Sequence, residues 1–349
     1  MEESVSAFEI RVSPFDASVQ CAPGRTVLAA VLASGKFIRY GCKNGGCGSC
    51  KLRVVDGDVE QHGSPFGLTD ADRASGWVLA CTAVPHSDCT VDVGEMDLSP
   101  DEFDAGDRIG TYICEVESEA ALTEDIRVLR LRVAGSEPFK FIAGQFVNVE
   151  VPGTEEFRSY SMSNPPSDGS HIELIVRLLP GGKFSAVIAN RLQVGDRLRV
   201  QGPYGQLKIR LSHRPIIAIA GGSGMAPILS MLTDLAEKGN TRQVTFFFGA
   251  RRSQDLYFAD RMRELQQRMP SLQVVYSVVE GAPPEKGGET GTVTTVVSSR
   301  MGLLEGYDAY LCGPPGMIDA ARDLLLQRGV RPRNIYFDAF VPTGGELEK

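Results

Sequence analysis

Between residues 41 and 50 the chain reads Gly41-Cys42-Lys43-Asn44-Gly45-Gly46-Cys47-Gly48-Ser49-Cys50, and a further cysteine, Cys81, follows in Leu79-Ala80-Cys81-Thr82. A C-x4-C-x2-C run with a distant fourth cysteine is the spacing by which four thiolates hold a [2Fe-2S] cluster, whereas structural zinc sites use two close cysteine pairs. The loop must wrap a bulky inorganic core and aim backbone N–H groups at its sulfurs, and Gly41, Gly45, Gly46 and Gly48 permit the positive φ values and close approach this needs. Zinc, or four unrelated buried thiols, are the competing readings. Of the eight cysteines, Cys21, Cys89 and Cys114 lack such company and read as small buried hydrophobes. His62, His86, His171 and His213 show no metal-ligand spacing among themselves, which disfavours a Rieske centre with its two histidine ligands.

Around this loop the pattern is strand, strand, helix, loop, strand. Residues 8–15 alternate, residues 18–21 return as a hairpin, Thr26 caps a short apolar helix over 27–32 that Gly35 ends, and residues 51–55 continue as a strand. That order, with the cysteine spacing, resembles the β-grasp fold of plant-type ferredoxins over residues 6–95. The whole chain has 349 residues and is 42% hydrophobic and 23% charged, which predicts two or three globular domains. Its net charge of −8 excludes the basic field that a phosphate backbone demands, so no nucleic-acid partner is expected. More than half of the acidic excess falls in the first hundred residues, as either a docking face or a solvated surface. No apolar run is long enough to span a bilayer and Met1-Glu2-Glu3-Ser4 is acidic, so no membrane association and a cytoplasmic location are expected.

Residues 96–106 are acidic and carry Pro100 and Gly106, the mark of a linker. Strand-like runs then recur at 111–116, 126–133, 145–151, 172–178 and 197–201, predicting an antiparallel barrel. Within it stands Phe157-Arg158-Ser159-Tyr160-Ser161-Met162-Ser163-Asn164, followed by Pro180-Gly181-Gly182-Lys183-Phe184-Ser185 at a helix start. An arginine and a glycine-opened helix N-terminus with a hydroxyl suit a pyrophosphate, and a tyrosine suits a flat ring. A surface arginine is the alternative for Arg158. With Phe141-Ile142-Ala143-Gly144-Gln145-Phe146 and Gly202-Pro203-Tyr204-Gly205, the segment resembles the flavin domain of the ferredoxin-NADP reductase superfamily. The resemblance implies a Greek-key β-barrel binding FAD, with Arg158, Ser159, Tyr160 and Ser161 against the flavin, Ser161 near its N5, and Gly181, Gly182 and Ser185 at its phosphates. FMN is the alternative cofactor.

Residues 215–220 form a continuous apolar run of the kind found in a buried parallel strand. Gly221-Gly222-Ser223-Gly224-Met225-Ala226-Pro227 and a helical stretch to Lys238 follow. A glycine-rich turn between strand and helix places N–H groups against a dinucleotide pyrophosphate. Pro227 stands where a standard Rossmann fingerprint has its third glycine, a form similar to the pyridine-nucleotide domain of the same superfamily, where the proline opens the helix. Further strand and helix pairs (244–248 with 255–269, 272–279, 309–311 with 317–327) predict a Rossmann-like doubly wound parallel sheet. The strand ending in Cys312-Gly313-Pro314-Pro315-Gly316-Met317 and the terminal Ile335-Tyr336-Phe337-Asp338-Ala339-Phe340 complete the resemblance, which puts Cys312 beside the nicotinamide, Gly313 and Pro314 among the cofactor-binding residues and Phe340 near the flavin ring. A buried thiol and a core phenylalanine are the alternatives, and the role of Asp338 is open because glutamate is commoner there. Arg251 and Arg252 leave NADPH open, but Gly249-Ala250-Arg251 with Asp255-Leu256-Tyr257 is closer to NADH-using members, so NADH is expected.

The expected organisation is therefore a ferredoxin domain over 1–98, a linker over 99–108, a flavin barrel over 109–210 and an NADH-binding domain over 211–349. In that order the chain resembles the NADH-dependent reductase component of a bacterial multicomponent oxygenase. Together with Cys81, Ser64-Pro65-Phe66-Gly67-Leu68-Thr69 most resembles reductases feeding the hydroxylase of soluble diiron monooxygenases that act on phenols, aromatics or alkanes. The resemblance implies electron flow from NADH through FAD to the [2Fe-2S] cluster and on to a separate oxygenase, with Ser161, Cys312 and Phe340 at the hydride-transfer site. A Rieske dioxygenase or a deoxysugar dehydratase as acceptor, and a non-catalytic electron-carrier or scaffold protein, are the alternatives.

Overall fold

The computed structural model describes residues 7–41, 43, 45–46, 48–63, 65–96, 98–104, 109–282 and 288–341. Two of the four expected cluster ligands, Cys42 and Cys47, lie outside the described residues. The chain divides into two compact units, one built mainly on residues 1–110 and the other on 111–203 with 207–340.

In the first unit β1 (Phe8–Ser13) and β2 (Ala17–Cys21) form a hairpin, and α1 (Val27–Ala33) follows. The Thr26 hydroxyl accepts from Ala29 N at 3.3 Å, capping α1, and Val27, Leu28, Ala30 and Val31 are its buried face. Then come β3 (Lys51–Asp56), β4 (Val59–Gln61), α2 (Asp70–Ala74), β5 (Trp77–Leu79), β6 (Ala83–Pro85) and β7 (Cys89–Asp92). Five strands make one sheet in the order β2-β1-β7-β3-β5, with β1 and β7 parallel, which is the expected β-grasp. β4 and β6 form a separate two-stranded ribbon. Inside the segment read as a linker, α3 (Pro100–Asp104) is helical. Ser99 and Glu102 exchange side-chain bonds with each other's backbone N–H, and Phe103, 1% exposed, stacks on Phe15 at 4.3 Å. One large apolar residue among acids is enough to pin that stretch down.

The second unit opens with β8 (Gly110–Ala121), β9 (Ile126–Val133), β10 (Phe146–Glu150), β11 (Phe157–Ser161) and β12 (His171–Arg177), then α4 (Lys183–Asn190) and β13 (Arg197–Tyr204). Their order is β11-β10-β13-β8-β9-β12, and a bridge between Met162 and Leu174 brings the two edges together. Alternation drives the curl, as β9 shows: Leu129, Leu131 and Val133 face the core, while Arg130 and Arg132 pair outward with Glu117 and Glu115. The pattern of five expected strands lacked β11, which is the motif segment itself.

The remainder is β14 (Ile216–Gly221), α5 (Met225–Glu237), β15 (Val244–Arg252), α6 (Ala259–Arg268), β16 (Leu272–Glu280), β17 (Gly288–Thr290), α7 (Val293–Arg300), β18 (Asp308–Gly313), α8 (Pro315–Gln327) and β19 (Ile335–Ala339). The strands are parallel in the order β17-β16-β15-β14-β18-β19. Successive strands are added outward on one side as far as β17 and then on the other from β18, so the winding switches between β14 and β18, the place where a doubly wound sheet opens a ligand crevice. Among the described residues no helix is long and apolar enough to cross a membrane.

Candidate functional site

The cysteine loop is folded by its glycines. Gly45 (φ +83°) and Gly48 (φ +70°) take backbone conformations that other residues avoid. Gly45 O also accepts from Gly67 N at 3.0 Å, and a Cβ on Gly67 would lie 2.6 Å from Gly48 N, so Gly45 and Gly48 are pressed against Pro65 and Gly67. Cys50 is 2% and Cys81 9% exposed, and Ala80 N donates to Cys50 O at 3.0 Å, which ties the two cysteine-bearing segments together. Buried thiols on a glycine-rich turn are the donor set that iron takes.

In the second unit β11 pairs antiparallel with β10, setting Arg158 opposite Val149, Tyr160 opposite Val147 and Ser161 opposite Phe146. The ring of Tyr160 packs on Phe184 of α4 at 5.5 Å, and burial pushes its hydroxyl above the ordinary tyrosine range. Ser159 Oγ donates to Asn148 Oδ1 at 2.6 Å, and Ser161 is buried. Arg158 donates to Glu156 at 2.7 Å, and Lys183, the first residue of α4, bonds the same carboxylate. Hydrogen bonds from Lys183 and then Arg158 hold Glu156 below the usual carboxylate range. Two cations on one carboxylate beside a helix start make a ready anion cradle, and the Lys183 and Glu156 members of it were not visible in the sequence. Gly181 (φ +71°) turns the chain into α4, and the Ser185 hydroxyl closes that turn by accepting from Leu179 N at 2.9 Å.

The glycine loop after β14 is a 3-10 turn (Gly222–Gly224) running directly into α5. Pro227 is the third residue of α5, not the residue that opens it. The first turn tolerates it because those N–H groups have no partner within the helix. A Cβ on Gly224 would lie 2.1 Å from Cys312 O, one on Gly221 2.7 Å from Met317 Sδ, and one on Gly313 2.8 Å from Gly221 O. Beyond the paired Ala220 and Cys312, the loop after β14 therefore packs on the end of β18 at positions where only glycine leaves room. Tyr257 OH fixes the loop by donating to Gly222 O at 2.7 Å. Cys312 is fully buried, and burial pushes its thiol well above the usual value, so it is a neutral thiol. Phe340 N donates to Gly313 O at 2.9 Å, and Asp338 sits opposite Cys312 across β18 and β19.

One cavity of about 1310 Å³ lies between the barrel and the nucleotide sheet of this unit. Its walls bring together Gly181, Gly182 and Ser185 from the turn into α4, Gly221 and Gly222 from the loop after β14, and Pro314. Arg158, Ser159, Tyr160, Ser161, Gly224, Pro227, Cys312, Gly313 and Phe340 are not on that wall. Its wall also holds Arg251, paired with Glu280 at 2.7 Å, and Arg252, paired with Asp255 at 3.1 Å and Glu124 at 3.6 Å. Glu280, a carboxylate at the end of β16, is a candidate the sequence reading passed over.

Three family models match the chain: a 2Fe-2S iron-sulfur cluster binding domain over residues 10–86, an oxidoreductase FAD-binding domain over 113–209 and an oxidoreductase NAD-binding domain over 218–323. The chain is 36% identical to the propane 2-monooxygenase reductase component of Rhodococcus jostii (strain RHA1), over 95% of this chain and 90% of that protein. It is 37% identical to the phenol 2-monooxygenase reductase component DmpP of Pseudomonas sp. (strain CF600), over 96% and 94%. Among solved structures it resembles the Amycolatopsis cytochrome P450 reductase GcoB, with a TM-score of 0.74 and 32% identity over 96% of this chain and 99% of that one.

Proposed function

The chain belongs to the ferredoxin-NADP reductase family, among the reductase components of oxygenases, and from that premise we propose that it takes electrons from NADH and delivers them to the hydroxylase of a multicomponent monooxygenase. It is an NAD(P)H-dependent flavin iron-sulfur oxidoreductase with [2Fe-2S], FAD and NAD as its cofactors. The observation that carries the reading is the cavity whose wall joins the glycine turn into α4 and the glycine loop after β14. Its volume exceeds the ~300–1,000 Å³ of a drug-sized pocket, in keeping with two nucleotide ligands meeting there.

The residues present fit these groups. Gly181 and Gly182 leave the start of α4 open to a phosphate, and Lys183 on the same wall neutralises it once Glu156 yields it, with Arg158 retaining that carboxylate behind. Bound there, a flavin supplies the change from a two-electron hydride to the single electrons that an iron-sulfur cluster accepts. Tyr160 offers a ring face, Ser161 a buried hydroxyl, and Cys312 a neutral, water-excluded thiol at the switch point of the sheet. NADH rather than NADPH is favoured by the carboxylates on Arg251 and Arg252. A ribose hydroxyl finds an acceptor in Glu280, whereas a 2′-phosphate must first displace it.

Anaerobic titration of the holoprotein with NADH, followed by visible absorbance and low-temperature EPR, tests the reading. Loss of flavin absorbance together with a rhombic one-electron cluster signal is expected. Reduction by NADPH but not NADH overturns the nucleotide choice, and an unreduced cluster overturns the electron path. The propane and phenol relatives support a hydroxylase as acceptor, while the likeness to GcoB gives a second reading with a cytochrome P450 in that place. NADH-driven turnover with each acceptor in turn separates the two.

A further inference from the structure

Apart from the residues assigned to cofactors, the β4 and β6 ribbon gathers two histidines that the sequence spacing had left unrelated. In its antiparallel register Val59 faces Pro85, Glu60 faces Val84 and Gln61 faces Ala83. The ladder runs on at both ends, where His62 N donates to Thr82 O and His86 N to Asp58 O, each at 2.9 Å. Side chains alternate along a strand with period two, so residues 60 and 62 share a face with residues 84 and 86 across the ribbon. Glu60 therefore has His62 beside it on its own strand and His86 on the diagonal. Both imidazoles reach one oxygen: His86 Nε2 lies 2.9 Å and His62 Nε2 3.6 Å from Glu60 Oε2.

We propose that Glu60, His62 and His86 form a binding site for one divalent transition-metal ion, with zinc the best match. The ligand atoms of the three side chains lie within 4.8 Å of one another, and among the described residues they are the one such trio of histidine, cysteine and acidic groups. With zinc bonds of ~2.0–2.1 Å, neighbouring ligands of a tetrahedral ion stand roughly 3.4 Å apart. The two separations from Glu60 Oε2 bracket that value, and the imidazole nitrogens stand no more than 4.8 Å apart, within reach of side-chain rotation. Two neutral imidazoles and one carboxylate suit zinc better than calcium or magnesium, which take oxygen ligands, and three protein ligands leave one position for water.

The backbone beneath the site is held independently of any ion. Gln61, which points to the opposite face, donates to Thr82 Oγ1 and accepts from Leu79 N, both at 2.7 Å. All three ligand side chains are about half exposed, so an ion enters without local unfolding. Once bound it joins β4 to the end of β6, a strand that begins two residues after Cys81, and so clamps the ribbon next to a cluster-bearing segment.

The test uses the chelator-treated holoprotein with its iron-sulfur absorbance intact. Zinc binding is measured by equilibrium dialysis, and the ligands are identified by X-ray absorption at the zinc edge. One equivalent bound through nitrogen and oxygen ligands is expected, weakened at least tenfold in Glu60→Gln and at least a hundredfold in His62→Ala/His86→Ala. The iron-sulfur spectrum should be unchanged in all variants, since the three side chains lie on the surface. Absence of binding by the parent protein, undiminished affinity in the double variant, or sulfur in the zinc shell would each overturn the proposal.

Discussion

Replacing Gly224 by alanine tests the nucleotide half of the site most directly. Its φ is −60°, an ordinary value, so the substitution introduces no backbone strain and its effect comes from contact alone. The added Cβ would stand 2.1 Å from Cys312 O, 2.4 Å from Cys312 C and 2.8 Å from Gly313 N, all backbone atoms of the neighbouring strand. None can swing aside as a side-chain tip does, so the loop and the end of β18 must separate by about 1 Å. Overpacking of that kind costs about 1–3 kcal/mol, and about 1 Å of misplacement at a reacting centre can cost ~100-fold in rate. The kcat/KM for NADH with a two-electron dye is therefore expected to fall roughly 10- to 100-fold, equivalent to about 1.4–2.8 kcal/mol. Flavin content and the iron-sulfur spectrum should hold, because the barrel and the cysteine loop are untouched. Gly302→Ala is the control, since nothing lies within 4 Å of its Cβ position. A Gly224→Ala protein with kcat/KM within twofold of the parent would refute the argument that the two glycine motifs meet through an obligatory backbone contact.

Three further outcomes are expected. Cys81→Ser should remove the iron-sulfur absorbance and one-electron transfer to a protein acceptor while NADH oxidation by two-electron dyes persists; loss of both would mean that the cluster is needed to hold the flavin site together. Glu280→Gln frees Arg251 and weakens the acceptor for a ribose hydroxyl, so the ratio of kcat/KM for NADPH to that for NADH should rise about tenfold, measured in steady state. Arg261→Met strips the bidentate partner (2.6 and 2.9 Å) from the buried Glu173 and, with Arg261 itself 42% exposed and screened, should cost about 2 kcal/mol, read as a lower flavin-release temperature at pH 7. Burial opposes ionisation of Glu173, but Arg261 outweighs it and holds the carboxyl below its unfolded value. That stabilisation is present above the unfolded pKa and lost as pH falls through the lowered folded one, so parent and variant should converge on the acid side and not on the alkaline side.

The parts of this chain that were legible in its sequence are those whose chemistry is local. Cysteine spacing announces an iron site because the ligands themselves are counted, and residues 216–220 announce a buried parallel strand because every one is apolar and the glycines come immediately after. What escaped depends on partners far along the chain. Glu156 joins Arg158 to Lys183, Tyr257 bonds the carbonyl of Gly222, and Glu280 meets Arg251 across two neighbouring strands. No periodicity encodes those pairs, since each is set by strand register and sheet order. His62 and His86 were unrelated by the same logic until the ribbon register put them on one face. The acidic segment after residue 96 misled for a different reason: composition argued for solvent, while the single Phe103 found a stacked partner in Phe15.

Glycine carries two different physical meanings in this molecule. At Gly45, Gly48 and Gly181 the requirement is conformational, because the backbone takes a positive φ to turn around a loop or into a helix. At Gly221 and Gly224 the φ values, −142° and −60°, are ones any residue adopts, and the requirement is space. Gly313 answers to both, with φ +143° and a Cβ position 2.8 Å from Gly221 O. The motifs after β14 and at the end of β18 are thus one device, two strand ends brought into backbone contact where the sheet order reverses, so that neither can be altered without displacing the other. That coupling gives a reason, independent of any ligand, for both motifs to occur in one chain. It also implies that the effects of Gly224→Ala and Gly313→Ala should fall short of additive, since the first substitution already opens the contact that the second would break.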